Sequence, residues 1–425
     1  MKLKVEKSSI DGKIRIPGSK SHTIRGVIIA SLADGESQLK NPLDSMDTKA
    51  CVHACKALGA KIEKNGKNLW KVQGFNGKPE TPENSLNLMN SGTTTSMILG
   101  LVSHAKGPVV LTGDDSLKTR PFDPLIKAIN DLGGNAKSLN DNGKLPIEVS
   151  GFLEGGYSEI DGMNSQPISS LLVNSVLCEK DTEIYVPNLH EKPYVRMTMQ
   201  WLDELNIKYK ENGMTTFKIK GNQSYNSFEK SIPADFSSAT FPLCAGVILD
   251  ESSVLLKGLD LNDSQGDKAV IDMLKDMGAN ITIGSEGIRV KNNRIDGCEL
   301  DLNNTPDALP ALAVVGCFAE GETRLVNVAQ ARIKKTDRIT AMREELEKMG
   351  ANIEELDDGL IIRKSHLKGN VVDSRGDHRM AMALSLAGMK ASGKTVIKSA
   401  ESINVTFPSY VKKMKNMGAN MELVE

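Results

Sequence analysis

"LKDMGANITIGS", Leu274–Ser285, and "LEKMGANIEELD", Leu346–Asp357, are close copies of one pattern, with their methionines 72 residues apart. An amphipathic segment ends at a methionine, a glycine follows, and a charged strand-like run begins. The same pattern occurs at "CKALGAKIEKNG", "INDLGGNAKSLN", "LDELNIKYKENG" and "MKNMGANMELVE". The anchors are Leu58, Leu132, Leu205, Met277, Met349 and Met417, at intervals of 74, 73, 72, 72 and 68 residues. The glycine after an anchor reads as a helix C′ residue in the left-handed conformation. Upstream of five anchors lie apolar strands such as "GPVVLTG" and "SSVLLKG". A unit of roughly seventy residues built this way cannot bury its own apolar faces, so the units must associate. A closed ring, an array and two clusters of three all satisfy the spacing.

The composition sets limits on partners and compartment. At 425 residues, 39% hydrophobic and 25% charged, the chain is ordinary for a globular protein with two domains. Its 53 basic and 54 acidic residues leave a net charge of −1, so no nucleic acid or other polyanionic partner is expected. No apolar run approaches the ~18 residues of a membrane span, and the start lacks the apolar core of a signal peptide. Six sparse cysteines, mostly in apolar contexts, fit reduced core thiols in a cytoplasm. Cys51, His53 and Cys55 share one helical turn but have no second ligand pair, so core packing is expected there and no metal.

Basic and small polar residues gather at turns that precede helices. "PGSKSHTIR" brings Lys20, Ser21 and Arg25 together, without the glycine spacing of a nucleotide-binding loop. "NSGTTTSM" reads as a strand end, a turn and a helix start, with Asn90 and Gly92 in the turn. Arg120 precedes Pro121 at an expected helix start, and Lys334, Lys335 and Arg338 fall within an expected first helical segment. His378 and Arg379 open an apolar helix. Cations at helix starts oppose the helix dipole unless an anion binds. Asp307 also precedes an apolar helix, either as an ordinary first-turn acid or as a general base.

Taken together these motifs resemble the enolpyruvyl transferases, most closely the shikimate branch. The resemblance runs end to end through P-G-S-K-S-x-x-x-R, N-S-G-T-T, K-T-R-P, S-Q-P-I-S-S, K-P-Y-V, D-F-S-S-A, T-P-D-A-L-P, K-x-T-D-R-I, G-D-H-R-M-A-M-A and T-F-P-S-Y. It implies an α/β (α+β) fold of two similar domains. Each would hold three repeated βαβαββ-type units in an inside-out α/β barrel, with the active-site cleft between domains. The implied boundaries are 18–232 for the first domain, and 1–17 with 233–425 for the second. The implied reaction moves the enolpyruvyl group of phosphoenolpyruvate to the 5-hydroxyl of shikimate 3-phosphate and releases phosphate.

The resemblance also implies roles residue by residue. Asp307, Lys20 and Lys335 would be catalytic. Lys20, Ser21, Arg25, Asn164, Ser165, Gln166, Tyr194, Asp307, Gln330 and Lys334 would bind shikimate 3-phosphate. Lys20, Asn90, Gly92, Arg120, Gln166, Arg338, His378 and Arg379 would bind phosphoenolpyruvate. Neither metal nor organic cofactor is expected, and the chain would act as a cytoplasmic monomer on these two small molecules.

Some positions depart from the family pattern. Ser96 stands where arginine is common, Asn164 replaces the first serine of a pair, and Gln330 replaces asparagine. Lys335 replaces a glutamate often given a proton-transfer role, and Val405 replaces lysine. Glu191 replaces the serine that faces the 3-phosphate. A carboxylate ~4 Å from a phosphate charge costs up to ~4 kcal/mol at an effective dielectric near 20. The alternatives are therefore the same transfer to another hydroxyl acceptor, or a non-catalytic anion-binding paralogue.

Overall fold

The computed structural model describes residues 1–66 and 68–425. It divides into two compact units, Gly18–Pro233 and Met1–Pro17 with Ala234–Glu425. Each unit contains three four-stranded sheets built to a common plan.

The plan is plainest in the third sheet of the first unit. Gly156–Glu159 runs parallel to Thr182–Tyr185, which pairs antiparallel with Thr216–Ile219, and Tyr209–Asn212 closes the other edge. A buried helix links the parallel pair, and an outer helix leads into the hairpin. This is βαβαββ, the smallest arrangement that lets one helix cover a sheet while a second returns the chain.

The six inner helices are α1 (Lys20–Leu32), α2 (Gly92–Val102), α3 (Ser165–Asn174), α4 (Phe236–Ile248), α5 (Leu309–Gly316) and α6 (His378–Lys390). They are buried almost all round, as helices lacking a polar face must be. In the first unit α2 touches both α1 and α3; in the second, α4, α5 and α6 touch one another. Small residues permit this approach. A Cβ on Gly100 of α2 would lie 2.5 Å from Asn174 Nδ2 and 2.6 Å from Ser170 Oγ of α3, so any larger residue there must push the helices apart.

The outer helices stop at the repeat anchors. Leu58, Leu132, Leu205, Met277, Met349 and Met417 are their C-caps. The residue after each has positive φ, from 93° to 110° at the five glycines and 58° at Asn206. Side chains on an L residue resist this region, whereas glycine and asparagine enter it at low cost.

Two departures from the plan concern strands far apart in sequence. Asp11–Arg15 is the parallel partner of Ser253–Lys257, although the helix that follows it, α1, lies in the other unit. Glu229–Ser231 takes the equivalent place beside Glu36–Lys40. The chain therefore exchanges one strand at each crossing. In the last sheet, Lys2–Val5 lies between Thr395–Lys398 and Met421–Val424, antiparallel to both. It supplies the hairpin strand that the sixth repeat does not contain.

Candidate functional site

In the first unit the starts of α1, α2 and α3 carry the polar side chains. The Ser19 hydroxyl accepts from the His22 N–H and caps α1, putting Lys20 and Ser21 in its first turn. Lys20 Nζ lies 3.5 Å from the carboxylate of buried Asp47. Arg25, one turn further on, is 3% exposed. Its guanidinium donates to Thr198 Oγ1 (2.8 Å), Ser169 Oγ (3.0 Å), the Tyr194 carbonyl (3.0 Å) and the Ser21 carbonyl (3.2 Å). These acceptors are all neutral. Burial pushes the guanidinium down to about 10.

At α2, Arg120 donates to Asn90 Oδ1 at 2.8 Å, while Asn90 Nδ2 donates to both oxygens of Asp114. Gly92 faces the same guanidinium; a Cβ there would come within 2.7 Å of an Arg120 terminal nitrogen. Arg120 lies after a short helix, Asp115–Lys118, and not at the start of the next one, which begins at Asp123. Ser91 stands at the N-cap of α2 but makes no capping bond to the backbone; its hydroxyl donates to Thr94 Oγ1.

At α3, Asn164 caps the helix by accepting from the Gln166 N–H at 3.0 Å. The Gln166 side chain donates to Thr93 Oγ1 at 3.2 Å and accepts from Ser96 Oγ at 3.4 Å, tying α3 to α2. Ser165 donates from its N–H (3.3 Å) and its hydroxyl (2.7 Å) to one oxygen of Glu191. Glu191 is 2% exposed with φ 53°. Its carboxylate is thus held at the start of α3, where partial positive charge favours it. Tyr194, half-buried in the helix Lys192–Glu204, offers its carbonyl to Arg25 and Thr198.

The second unit gathers a different set. Arg338 donates to Asp307 Oδ1 at 2.7 Å and to Asp377 at 2.8 and 3.3 Å. Arg379 donates to Asp307 Oδ2 at 2.6 Å. Asp307 therefore spans two arginines, each at a helix start, and is no mere first-turn acid. Asp377 caps α6 by accepting from the Arg379 N–H at 2.8 Å. Burial pulls the Arg338 guanidinium down most strongly, but the Asp377 and Asp307 charges outweigh it and its proton is held more tightly than usual. Burial likewise opposes ionisation of Asp377, and the Arg338 charge overcomes it, leaving that carboxyl below its ordinary value.

Lys334 and Lys335 sit half-buried ahead of the helix Arg338–Lys348, not within its first turn as expected. Asp337 begins that helix, accepting from the Ile339 and Thr340 N–H groups and from Arg332 at 2.8 Å. The Lys335 charge reaches Asp377. Gln330 is buried and donates to the Asn303 carbonyl at 2.9 Å. His378 is buried with Nδ1 3.6 Å from Asp377. Among the described residues no cluster of His, Cys, Asp or Glu is arranged to hold a metal, and Cys51 and Cys55 are buried while His53 is exposed.

The sequence reading missed Asp47, Asp377, Thr198 and Ser169, which position the cations. Asp377 stood in view as the residue before the His378–Arg379 pair, in an N-cap position that favours aspartate. Ser169 stood inside S-Q-P-I-S-S without being singled out, and Thr198 gave no signal, because it lies mid-helix and reaches Arg25 only through tertiary packing.

Known proteins match the chain along most of its length. The family model for EPSP synthase (3-phosphoshikimate 1-carboxyvinyltransferase) matches residues 5–414. A 3-phosphoshikimate 1-carboxyvinyltransferase of Acetivibrio thermocellus is 50% identical over 425 residues, covering 100% of both chains. One from Methanococcus maripaludis is 42% identical over 98% of each. Among solved structures, an EPSP synthase from Acinetobacter baumannii superposes with a TM-score of 0.83 at 26% identity, covering 100% of both chains.

Proposed function

The chain belongs to the EPSP synthase family, and on that premise we propose that it transfers the enolpyruvyl group of phosphoenolpyruvate to the 5-hydroxyl of shikimate 3-phosphate, releasing phosphate. The observation that carries the reading is Asp307 held between Arg338 and Arg379. In that state its lone pairs are engaged by two cations and it is a poor base. Phosphoenolpyruvate brings a carboxylate and a phosphate that compete for the same guanidinium groups. As the arginines turn to the ligand, Asp307 is released and its proton affinity rises. It then takes the proton of the attacking hydroxyl as the oxygen–C2 bond forms and the methylene carbon is protonated. In the second stage that carbon loses a proton, the bond from C2 to the phosphate oxygen breaks, and the enol double bond returns.

We assign Arg338, Arg379, His378, Arg120, Asn90, Gly92 and Gln166 to phosphoenolpyruvate. Ser21, Arg25, Asn164, Ser165, Tyr194, Asp307, Gln330 and Lys334 are assigned to shikimate 3-phosphate, with Lys20 and Gln166 serving both and Lys335 a candidate proton donor. Arg25 supports this: a buried cation among neutral acceptors gains from an approaching anion. Glu191 keeps its negative charge, but the Ser165 N–H and hydroxyl fix it at the start of α3, whose partial positive charge offsets part of it, and this favours tolerance of a phosphorylated acceptor. The same reading implies a cytoplasmic monomer.

Phosphate release from the two substrates is the direct test. Asp307→Ala should lower kcat by about 10²–10⁴ while calorimetry still detects shikimate 3-phosphate binding. Undiminished turnover in that variant would remove Asp307 from the role of base. No phosphate release by the unaltered protein would overturn the reaction itself.

A further inference from the structure

Asp114 is an exposed carboxylate with no part in the reaction, yet it is tied to its surroundings at three points. Its N–H donates to the Met89 carbonyl at 2.9 Å. Its Oδ1 accepts from the Leu117 N–H at 2.8 Å and so caps the short helix Asp115–Lys118. Both of its carboxylate oxygens accept from Asn90 Nδ2, at 2.9 and 2.7 Å. The two turns approach closely here: a Cβ on Gly113 would lie 2.8 Å from the Met89 carbonyl oxygen and 2.5 Å from Leu117 Cδ2. Any side chain at 113 would push Asp114 away from Asn90.

Asn90 stands between two opposite charges, and its amide has a donor end and an acceptor end. The NH2 meets Asp114, and the oxygen accepts from the Arg120 guanidinium at 2.8 Å. Turning the amide over would set its oxygen against a carboxylate and its NH2 against a cation. A carboxylate only accepts, so Asp114 decides which end of Asn90 meets Arg120. The guanidinium in turn lies at the start of α2, within 2.7 Å of where a Cβ on Gly92 would stand. Asp114 also acts on Arg120 along the backbone, because the Arg120 N–H donates to the Leu117 carbonyl at 3.2 Å, at the end of the helix that Asp114 caps.

We propose that Asp114 is a positioning residue for phosphoenolpyruvate: by fixing the Asn90 amide it holds the Arg120 guanidinium at the start of α2 before the ligand arrives. The inference rests on the assignment of Asn90 and Arg120 to phosphoenolpyruvate. Without Asp114, binding would have to select one of two amide orientations and order a free guanidinium as well. With it, that ordering is done by the fold.

The test is phosphate release by the full chain at varied phosphoenolpyruvate and saturating shikimate 3-phosphate, with Asp114→Asn as the informative variant. Asparagine caps a helix as well as aspartate does, so the Leu117 N–H keeps its acceptor. The NH2 of the new amide then falls where Oδ2 was, facing the Asn90 NH2, and no orientation of Asn90 satisfies both of its neighbours. KM for phosphoenolpyruvate should rise about five- to tenfold with kcat little changed. In an Asn90→Ala background there is no amide to orient, and Asp114→Asn should raise KM no further. Asp114→Ser, which also caps but is too short to reach Asn90, should give the same rise and serves if Asp114→Asn does not fold. An unchanged KM in the single variants, or an equal rise in both backgrounds, would overturn the role of Asp114 and leave the reaction standing. A KM for phosphoenolpyruvate unmoved by Asn90→Ala would instead overturn the assignment on which the inference rests.

Discussion

Arg25 in the first unit and Arg338 in the second are both almost fully buried near helix starts, yet they are compensated in opposite ways. Arg25 meets hydroxyls and carbonyls, and burial weakens its hold on its proton. Arg338 meets two carboxylates, which strengthen that hold. One repeat architecture thus compensates a buried guanidinium in two ways, and on the proposed assignment the two would receive an anion differently. Arg25 makes no ion pair among the described residues, so an anion bound beside it as proposed would add a charge pair without displacing a carboxylate. The second unit keeps cations already paired, and an anion there must displace a resident carboxylate. Exchange of that kind is weaker as binding but changes the state of the group displaced.

The largest expected effect separates these two arginines. Arg338→Ala leaves Asp377 and Asp307 without their shared cation and should cost about 3–5 kcal/mol of stability. Arg25→Ala removes hydrogen bonds to neutral partners and should cost less, about 1–3 kcal/mol. Urea unfolding followed by circular dichroism measures both. Equal losses, or a larger loss at Arg25, would break the contrast.

The next effect sharpens it through pH. His104 of the first unit is buried, its ring nitrogen paired with the Asn174 carbonyl at 3.1 Å, and burial lowers it from 6.5 to about 4. The unfolded chain takes the proton first, so this unit keeps its full stability above pH 6.5 and loses it as pH falls toward 4. The loss is on the order of 3 kcal/mol. Asp267 of the second unit works the other way. Burial raises it from 3.8 to about 6, which penalises the folded state at neutral pH, and the penalty is relieved as pH falls through 6 toward 3.8. Both tryptophans, Trp70 and Trp201, lie buried in the first unit, so their fluorescence reports on it alone. The tryptophan-detected urea midpoint should drop between pH 7 and pH 4.5, and His104→Gln should flatten the drop. A flat profile in the unaltered protein would contradict the assignment.

The smallest effect concerns Glu191. Replacing it by alanine removes the anion that Ser165 holds at the start of α3 and should cost about 1 kcal/mol, read from the same fluorescence midpoint. An unchanged midpoint would mean that this carboxylate contributes nothing to the helix start.

Local features were legible from the chain, and distant ones only where a motif marked them. The six anchors, their left-handed successors and the strands before them follow from patterns of a few residues, since capping and strand periodicity are short-range effects. Asn90, Gly92 and Arg120 come together, as do Asp307, Arg338 and Arg379, and their motifs had marked them as candidates. Long-range pairing left no such mark. Nothing in "KLKV" tells that Lys2–Val5 will lie beside Thr395–Lys398, because a four-residue alternating strand fits many sheets. Asp114 went unnoticed for a similar reason. Its importance lies in the reach of its carboxylate to Asn90, 24 residues earlier in the chain.

The placement of Lys2–Val5 has a consequence for biogenesis. Residues 18–233 form an uninterrupted stretch, so that unit can complete its sheets while the rest of the chain is still being made. The other unit holds its earliest-synthesised strand in a sheet with some of its latest. At about 5–20 residues per second, that strand leaves the ribosome roughly 20–80 s before its neighbours exist. Through that interval its apolar Leu3 and Val5, buried in the finished protein, have no native cover, and the nascent chain depends on chaperones or on brevity of exposure to keep them from foreign edges.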